Sequence, residues 1–245
     1  MSSLSEDAEA LQELLDSHRH IVFFGGAGVS TESGIPDFRS VDGLYHQKYR
    51  YDPETIISHG FFESDPTEFY RFYRDKMLLL DKKPNVSHYF LAELEKAGKL
   101  DAIVTQNIDG LHQMAGSRNV IELHGTIHRN FCEGCGKMFD AQYIKNYDGT
   151  IPLCDKCHSI IKPDVVLYGE PLDEMMVTKA IVAISQCYML IVAGTSLVVY
   201  PAASFIDYFQ GKDLVLINKD ERSFDSRASL IIHQKVGELF ERLHV

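Results

Sequence analysis

Short apolar runs recur along the chain and alternate with stretches of helical periodicity. The runs occupy residues 21–24, 102–105, 120–123, 189–193, 214–217 and 230–232. Within a run there is little polar alternation, which is typical of strands buried on both faces of a parallel sheet. The pattern therefore predicts six strands of an open, mostly parallel sheet.

Helical periodicity fills several of the intervals between the predicted strands. Apolar residues recur at helical spacing from Leu4 to Leu15, before the first strand. Asn85 is placed to cap a second helix that ends at Gly98, and residues 177–184 carry a third apolar face. Strands alternating with helices indicate an α/β fold.

Two stretches interrupt this alternation. Residues 45–84 are rich in Tyr, Phe and charged residues and have helical periodicity only from about residue 66 to residue 80. Residues 126–164 contain paired cysteines and little apolar periodicity. We interpret both as insertions that form a smaller domain, which leaves residues 1–44, 85–125 and 165–245 to the larger one.

Composition and charge narrow the class of protein. The 245 residues are 45% hydrophobic, which supplies a sizeable core and excludes general disorder. The formal charge of −11 argues against binding to nucleic acid as the main function. No apolar run approaches the roughly 20 residues that span a bilayer, and the acidic N-terminus lacks a signal-peptide pattern, so we expect a cytoplasmic protein without a membrane partner.

Four of the five cysteines form two C-x-x-C pairs separated by 18 residues. In a reducing compartment this spacing predicts a zinc ribbon, with reduced thiols or a redox pair as the alternatives. Four sulfur ligands leave no open position, so the zinc is expected to be structural; they are Cys132, Cys135, Cys154 and Cys157. His158 is then expected at the surface and Cys187 in the core.

A glycine-rich segment follows the first predicted strand. Gly26, Gly28 and Gly34 approximate a dinucleotide-binding spacing, although the third glycine comes later than in that motif. Backbone N–H groups and the Ser30 hydroxyl could there face a pyrophosphate. A plain turn after the strand is the alternative interpretation.

Polar clusters follow the predicted strands at residues 25–39, 105–112, 123–125, 194–196 and 218–220. In a parallel sheet these strand ends meet at one edge, so we expect the clusters to converge on one crevice. His124 lies directly at a strand end beside a glycine and could act as a general base, or it could be a satisfied structural histidine.

These motifs together resemble the sirtuin family of NAD-dependent protein-lysine deacylases, in a compact bacterial form. The resemblance extends from about residue 21 to residue 236. It rests on residues 26–30, 33–39, 105–112, 124–125 and 194–196 and on the four paired cysteines. It implies a Rossmann-like domain with a smaller inserted zinc-ribbon and helical domain.

The resemblance also implies roles for individual residues. His124 matches the catalytic base, and Asn107, Ile108 and Asp109 match the nicotinamide pocket, with Asn107 and Asp109 counted as catalytic. The expected NAD-binding residues are Gly26, Ala27, Gly28, Ser30, Thr31, Asp37, Phe38, Arg39, Gln106, Asn107, Ile108, Asp109, His124, Gly194, Thr195, Ser196, Asn218, Lys219 and Val236. The expected peptide-binding residues are Val165, Val166, Tyr168, Gly169, Glu170 and Val198.

The implied reaction consumes NAD and removes an acetyl group from lysine. Its products are nicotinamide, O-acetyl-ADP-ribose and free lysine. Relatives that prefer acidic acyl groups carry a tyrosine followed three residues later by an arginine, whereas Tyr70 is followed by Tyr73. We therefore expect an uncharged acyl group, although Arg71 or Arg74 could take the place of that arginine.

Other functions remain possible from the sequence. An ADP-ribosyltransferase or NAD hydrolase would use the same cleft, and a deacylase could prefer longer or acidic groups. A dehydrogenase is disfavoured because no acidic residue ends a second strand about 20 residues after the glycines. A zinc-ribbon binding module is disfavoured for nucleic acid because residues 126–164 carry equal numbers of positive and negative side chains.

Overall fold

The computed structural model describes residues 3–37, 50–195, 202–219 and 226–245. The strands within these ranges are β1 (Ile21–Gly25), β2 (Leu100–Thr105), β3 (Val120–Glu122), β4 (Gly125–Cys132), β5 (Met138–Asp140), β6 (Ile161–Val165), β7 (Met189–Ala193), β8 (Asp213–Ile217) and β9 (Leu230–Ile232). The α-helices are α1 (Leu4–Ser17), α2 (Pro53–Ile56), α3 (His59–Ser64), α4 (Pro66–Phe72), α5 (Val86–Lys96), α6 (Leu111–Ala115), α7 (Ala141–Asn146), α8 (Glu174–Gln186) and α9 (Val236–Phe240).

Six strands form a parallel sheet in the order β3-β2-β1-β7-β8-β9. The strand ends are in register, since Gly25 lies beside both Thr105 and Ala193. The chain adds strands to one side of β1 first and to the other side later, so the order reverses between β1 and β7. In open α/β sheets such a reversal creates a crevice at the carboxyl ends of the strands.

Helices cover both faces of this sheet. On one face α1, α5 and α9 bury side chains such as Leu11, Leu91 and Phe240. On the other face α8 buries Ala180 and Ile184 against the sheet. Local caps fix where the helices begin: Ser3 and Glu6 form a capping box before α1. The mostly parallel α/β sheet predicted from the apolar pattern is confirmed.

A second, three-stranded antiparallel sheet has the order β5-β4-β6. It packs with α2, α3, α4, a π-helix (Tyr73–Met77) and α7 around a separate apolar cluster that includes Phe69, Ile144 and Ile161. This cluster draws on residues from both predicted insertions. Segments without a visible hydrophobic period thus form a second core, because each contributes a few apolar side chains to it.

The helical prediction for residues 45–84 was wrong in its extent. Helices begin at Pro53, well before residue 66, and the stretch from residue 66 is α-helical only to Phe72 before it becomes a π-helix. Proline in the first turn and the Ser58 and Asp65 caps define these short helices. They are too short for a hydrophobic period to be visible in the sequence.

A membrane-crossing helix would need more length and more apolar character than any helix in the described ranges has.

Candidate active site

A cleft of about 580 Å3 lies at the carboxyl ends of the parallel strands, where side chains from the second sheet and its helices close it. It collects residues from all of the predicted polar clusters, so the predicted convergence is confirmed. Its polar lining comprises Gly26, Ala27, Gly28, Ser30, Asp37, Gln106, Asn107, Asp109, His124, Gly194, Thr195, Asn218 and Lys219.

The glycine-rich segment forms tight turns that touch the end of β7. Gly28 N–H donates to the Gly194 carbonyl at 2.8 Å. A Cβ atom on Gly28 would lie 2.7 Å from the Gly194 Cα, and one on Gly26 would lie 2.7 Å from the Thr195 Cβ. Glycine is therefore required at both positions for the two backbones to approach. The turns are of the 3-10 type, at Ala27–Val29 and Thr31–Ser33.

The loop after β2 is held by side-chain amides. Gln106 Nε2 donates to Thr195 Oγ1 at 3.1 Å, and Asn107 Nδ2 donates to Ser30 Oγ at 3.1 Å. Ser30 Oγ in turn donates to Asp109 Oδ2 at 2.6 Å. The Ser30 hydroxyl thus orders the neighbouring loop from a buried residue that lines the cleft.

His124 follows β3 and is half-buried at the cleft. Its Nδ1 donates to the Gln106 carbonyl at 2.9 Å, since a carbonyl can only accept. In the neutral ring this leaves Nε2 unprotonated. Burial lowers the pKa of His124, while the Gln106 carbonyl partly offsets the decrease by stabilising the charged ring. The side chain can therefore accept a proton at Nε2 near neutral pH.

Two further histidines lie beneath the loop: His112 ends the predicted polar cluster 105–112, whereas the sequence reasoning missed His88 as part of the site. The rings of His88 and His112 are buried, with centroids 4.8 Å apart. Asn85 N–H donates to His88 Nδ1 at 3.2 Å, which leaves Nε2 protonated 3.5 Å from Ser30 Oγ. His88 therefore supports Ser30, which binds Asp109. Its position in the capping turn of α5 gave no sign of this contact.

We expect acid to destabilise the fold through these two buried rings. Burial lowers the pKa of His88 to about 4 and that of His112 to about 3. Because the unfolded chain binds these protons near pH 6.5, their contribution to stability is present above that pH and is lost as the pH falls towards 4. One such shift corresponds to about 3 kcal/mol of unfolding free energy.

Denaturant unfolding at pH 7 and at pH 4.5 measures this loss. His112→Leu should lose less stability between the two pH values than the parent chain, because one of the two buried rings is gone. His244→Gln, which changes an exposed histidine, is the matched control. An equal loss in all three proteins would contradict the assignment.

The remaining wall of the cleft is largely apolar. The segment 165–170 after β6 lines it, as the resemblance implied for the peptide-binding residues Val165, Val166, Tyr168, Gly169 and Glu170. Further side chains were not foreseen from the sequence, because no local motif marks them; they are Ile57, Lys76, Met77, Leu79, Ile127 and Leu172. Ile108, which was expected in the nicotinamide pocket, also lines the cleft.

Some predicted NAD-binding residues are not part of this lining. Thr31 is exposed in a 3-10 turn and its hydroxyl donates to the Gly28 carbonyl at 3.0 Å. Val236 is 3% exposed and packs in the core at the start of α9. Four other predicted residues lie outside the described ranges: Phe38, Arg39, Ser196 and Val198.

The four paired cysteines meet at one end of the antiparallel sheet. Their sulfur atoms all lie within 4.8 Å of one another. The Sγ atoms of Cys132 and Cys157 are 3.3 Å apart, and those of Cys135 and Cys154 are 3.7 Å apart. Four thiolates at tetrahedral zinc would be about 3.8 Å apart, so the cluster fits a structural zinc ion. His158 is exposed and Cys187 is buried, as predicted.

The cleft also fits NAD. Gly26 and Gly28 line it, and their backbone packs so closely against the end of β7 that a Cβ on either would lie 2.7 Å from Thr195 or Gly194. The amides and carboxylates of the loop after β2 supply donors and acceptors for a ribose and a carboxamide. Such a close backbone approach beside a strand end is the usual setting for a dinucleotide.

Comparison with known proteins agrees with this geometry. The Sir2 family model matches residues 26–201. An NAD-dependent protein deacetylase of Clostridium acetobutylicum is 55% identical over 97% of this chain and 98% of its own length. Another from Staphylococcus aureus is 43% identical over 98% of this chain and 99% of its own length.

Solved structures are similar over nearly the whole chain. A Sir2 protein bound to an acetylated peptide has 40% sequence identity and a TM-score of 0.85, covering 96% of this chain and 95% of that one. A Sir2 complex with a p53 peptide and NAD+ has 42% identity and a TM-score of 0.85, with the same coverage. On the family match, these relatives and the cleft described above, the chain belongs to the Sir2, or sirtuin, family.

Proposed function

We propose that this Sir2-family chain is an NAD-dependent protein-lysine deacetylase and that each wall of its cleft has a distinct task. The observation that carries the proposal is His124, which is half-buried and oriented through Nδ1 so that Nε2 can accept a proton beside the loop of residues 105–112. The family match and the named relatives support the reaction as a whole.

The polar wall is proposed to bind NAD, which when bound supplies the ADP-ribose that accepts the acetyl group. Gly26, Gly28 and Gly194 line this wall, and their backbone is proposed to face the phosphates. Asn107 and Asp109, fixed through Ser30, would hold the nicotinamide end and exclude water there. Asn218 Nδ2 donates to the Thr195 carbonyl at 2.7 Å, which orders the far end of the cleft.

Within this arrangement His124 is proposed to act as the general base. Its Nε2 would take a proton from a ribose hydroxyl, and the Gln106 carbonyl would stabilise the resulting imidazolium through Nδ1. The Gln106 carbonyl also fixes the plane of the ring. Proton transfer thus needs no movement of the backbone.

The apolar wall is proposed to receive the acetyl-lysine side chain. Ile108, Ile127 and Val165 line the cleft beside the polar loop, where they exclude water from the reacting groups. The segment 165–170 and Val198 are proposed to contact the peptide backbone, which makes recognition tolerant of sequence. Acetylated proteins are therefore the proposed substrates.

A product assay tests the proposed reaction. Incubating the zinc-loaded protein with NAD and an acetylated peptide should release nicotinamide and deacetylated peptide in equal amounts, measured by mass. Nicotinamide release without any requirement for the acetyl group would instead indicate an NAD hydrolase. Transfer of ADP-ribose to a protein would indicate an ADP-ribosyltransferase.

We expect acetyl peptide to be turned over faster than succinyl peptide of the same sequence. Tyr70 and Tyr73 are buried in the second core, exposed Arg71 pairs with Glu68, and Arg74 donates to the Gly149 carbonyl at 2.9 Å. Neither arginine lines the cleft. Lys76 lines it beside Asp75, with 3.0 Å between Nζ and Oδ2.

A kcat/KM comparison of the two peptides measures this preference. Tenfold or greater preference for acetyl, about 1.4 kcal/mol, is expected because the cleft offers the succinyl carboxylate little compensation for lost water. Faster removal of succinyl would contradict it and assign Lys76 a role in binding an acid.

The domain division is proposed to follow the sequence interpretation, with residues 45–84 and 126–164 as the smaller domain. The separate apolar cluster around the antiparallel sheet supports it. A cytoplasmic location is proposed because the four cysteines need to remain thiolates for zinc. Binding to nucleic acid is not proposed, since the formal charge is −11.

A further inference from the structure

A half-buried ion cluster lies at the segment 165–170; Glu170 lines the cleft, whereas its partners Lys162 and His59 do not. Glu170 Oε1 lies 2.8 Å from His59 Nδ1, and Lys162 Nζ lies 3.1 Å from the same carboxylate. The side chains of Glu170 and Lys162 are 17% and 19% exposed. Charged side chains that are largely shielded from water stabilise a fold only when each has a well-placed partner, and here Glu170 and Lys162 pair with each other.

The Glu170 carboxylate also binds the backbone of the segment itself. Leu167 N–H donates to Glu170 Oε2 at 2.8 Å, and Glu170 N–H donates to the Leu167 carbonyl at 2.9 Å. Lys162 Nζ donates to the Val165 carbonyl at 3.1 Å. These hydrogen bonds hold residues 165–170 in a turn, in which Gly169 has a φ of 90°.

The same segment is attached on two other sides. Val166 N–H donates to the His124 carbonyl at 3.0 Å. Tyr168 N–H donates to the Ile57 carbonyl at 3.0 Å, and His59 N–H donates to the Tyr168 carbonyl at 2.9 Å. His59 therefore meets the segment twice, through its backbone at Tyr168 and through its ring at Glu170.

We propose that Glu170, together with Lys162 and His59, is a positioning group that sets the shape of the peptide-binding segment, and that its carboxylate does not contact the peptide. The resemblance implies that the segment 165–170, Glu170 included, pairs its backbone with the peptide. The hydrogen bonds turn the Glu170 carboxylate to Leu167 N–H, to the Lys162 ammonium and to the His59 ring. Because these bonds fix which backbone groups of residues 165–169 face the cleft, the cluster controls peptide affinity and leaves the NAD wall unchanged.

This inference rests on the proposed deacetylase function, and its test separates the two. Glu170→Ala removes all the carboxylate contacts, whereas Glu170→Gln keeps an oxygen for Leu167 N–H and removes the charge. Glu63→Gln is the matched control, because Glu63 pairs with the outer side of His59 at 3.5 Å and is 66% exposed.

Steady-state kinetics with acetylated peptide and NAD give the first readout. The KM for peptide should rise about tenfold or more in Glu170→Ala and less in Glu170→Gln, as expected for loss of a charge-assisted hydrogen bond. The KM for NAD, and both constants in Glu63→Gln, should stay within about twofold of the parent value. An unchanged peptide KM, or an equal rise in the KM for NAD, overturns the proposal.

Amide hydrogen exchange gives a second readout that needs no activity. Exchange at Leu167 should accelerate about tenfold or more in Glu170→Ala, whereas exchange in β1 and β7 should not change. If Glu170→Ala does not fold, Glu170→Gln and Lys162→Met are measured in the same way, with accelerated exchange at Val166 and Leu167 expected. Unchanged exchange there overturns the proposal, while a parent chain without deacetylase activity refutes only the proposed function.

Discussion

His124→Ala should lower the deacetylation rate by about 100-fold to 10,000-fold while the protein keeps its fold and its zinc. The substitution removes the Nε2 base and one hydrogen bond to the Gln106 carbonyl, which lies 2.9 Å from Nδ1. That single bond is worth about 1 kcal/mol of stability, so folding should survive. Single-turnover release of deacetylated peptide, followed by mass, measures the change.

The control for this prediction is His244→Gln, which alters an exposed histidine near the C-terminus. Its rate should match that of the parent chain. Zinc content and the unfolding midpoint are measured on the same samples, so that a loss of rate can be assigned to chemistry. Unimpaired deacetylation by His124→Ala would remove His124 from the role of base.

Gly125→Ala, in contrast to His124→Ala, should lower the stability of the fold. Gly125 adopts a φ of 71°, and a Cβ atom there would collide with the Asp164 carbonyl oxygen of the neighbouring strand. The left-handed conformation costs about 1–2 kcal/mol for alanine, and the collision adds about 1–3 kcal/mol. We expect a total loss of about 2–5 kcal/mol in the free energy of unfolding.

Gly98→Ala is the matched comparison for this prediction. Gly98 has a φ of 70°, and a Cβ atom on it would meet nothing within 4 Å. Its loss should therefore equal the conformational cost alone, about 1–2 kcal/mol. Denaturant unfolding of the zinc-loaded proteins measures both values, and equal losses would show that β4 can move away from Asp164.

The strands of the parallel sheet could be predicted because its central strands β1, β7 and β8 are buried along their whole length. Residues 189–193 and 230–232 were predicted as strands and form β7 and β9 with the same bounds, and the other four runs differ from the observed strands by two residues or fewer at one end. A buried parallel strand needs an unbroken apolar run, and little else in this chain produces one. The position of the polar clusters then followed from strand direction.

The small helices and the apolar wall could not be predicted in the same way. Helix α2 contains only Pro53–Ile56, so a 3.6-residue period has no room to repeat. Ile57 and Met77 reach the cleft because helices of the second core bring them there, and that placement depends on long-range packing. Likewise, nothing local distinguishes His88 from other capping-turn residues, since its link to Asp109 runs through Ser30.

The strand order also determines when parts of the chain can fold during synthesis. β1 pairs with β2 on one side and with β7 on the other, where Ile21 meets Met189. During synthesis the β7 side of β1 must therefore remain uncovered until most of the chain has left the ribosome. The glycine-rich segment needs the hydrogen bond from Gly28 N–H to the Gly194 carbonyl, so it is among the last parts to form. Nascent chains that lack Gly194 should therefore be unable to bind NAD.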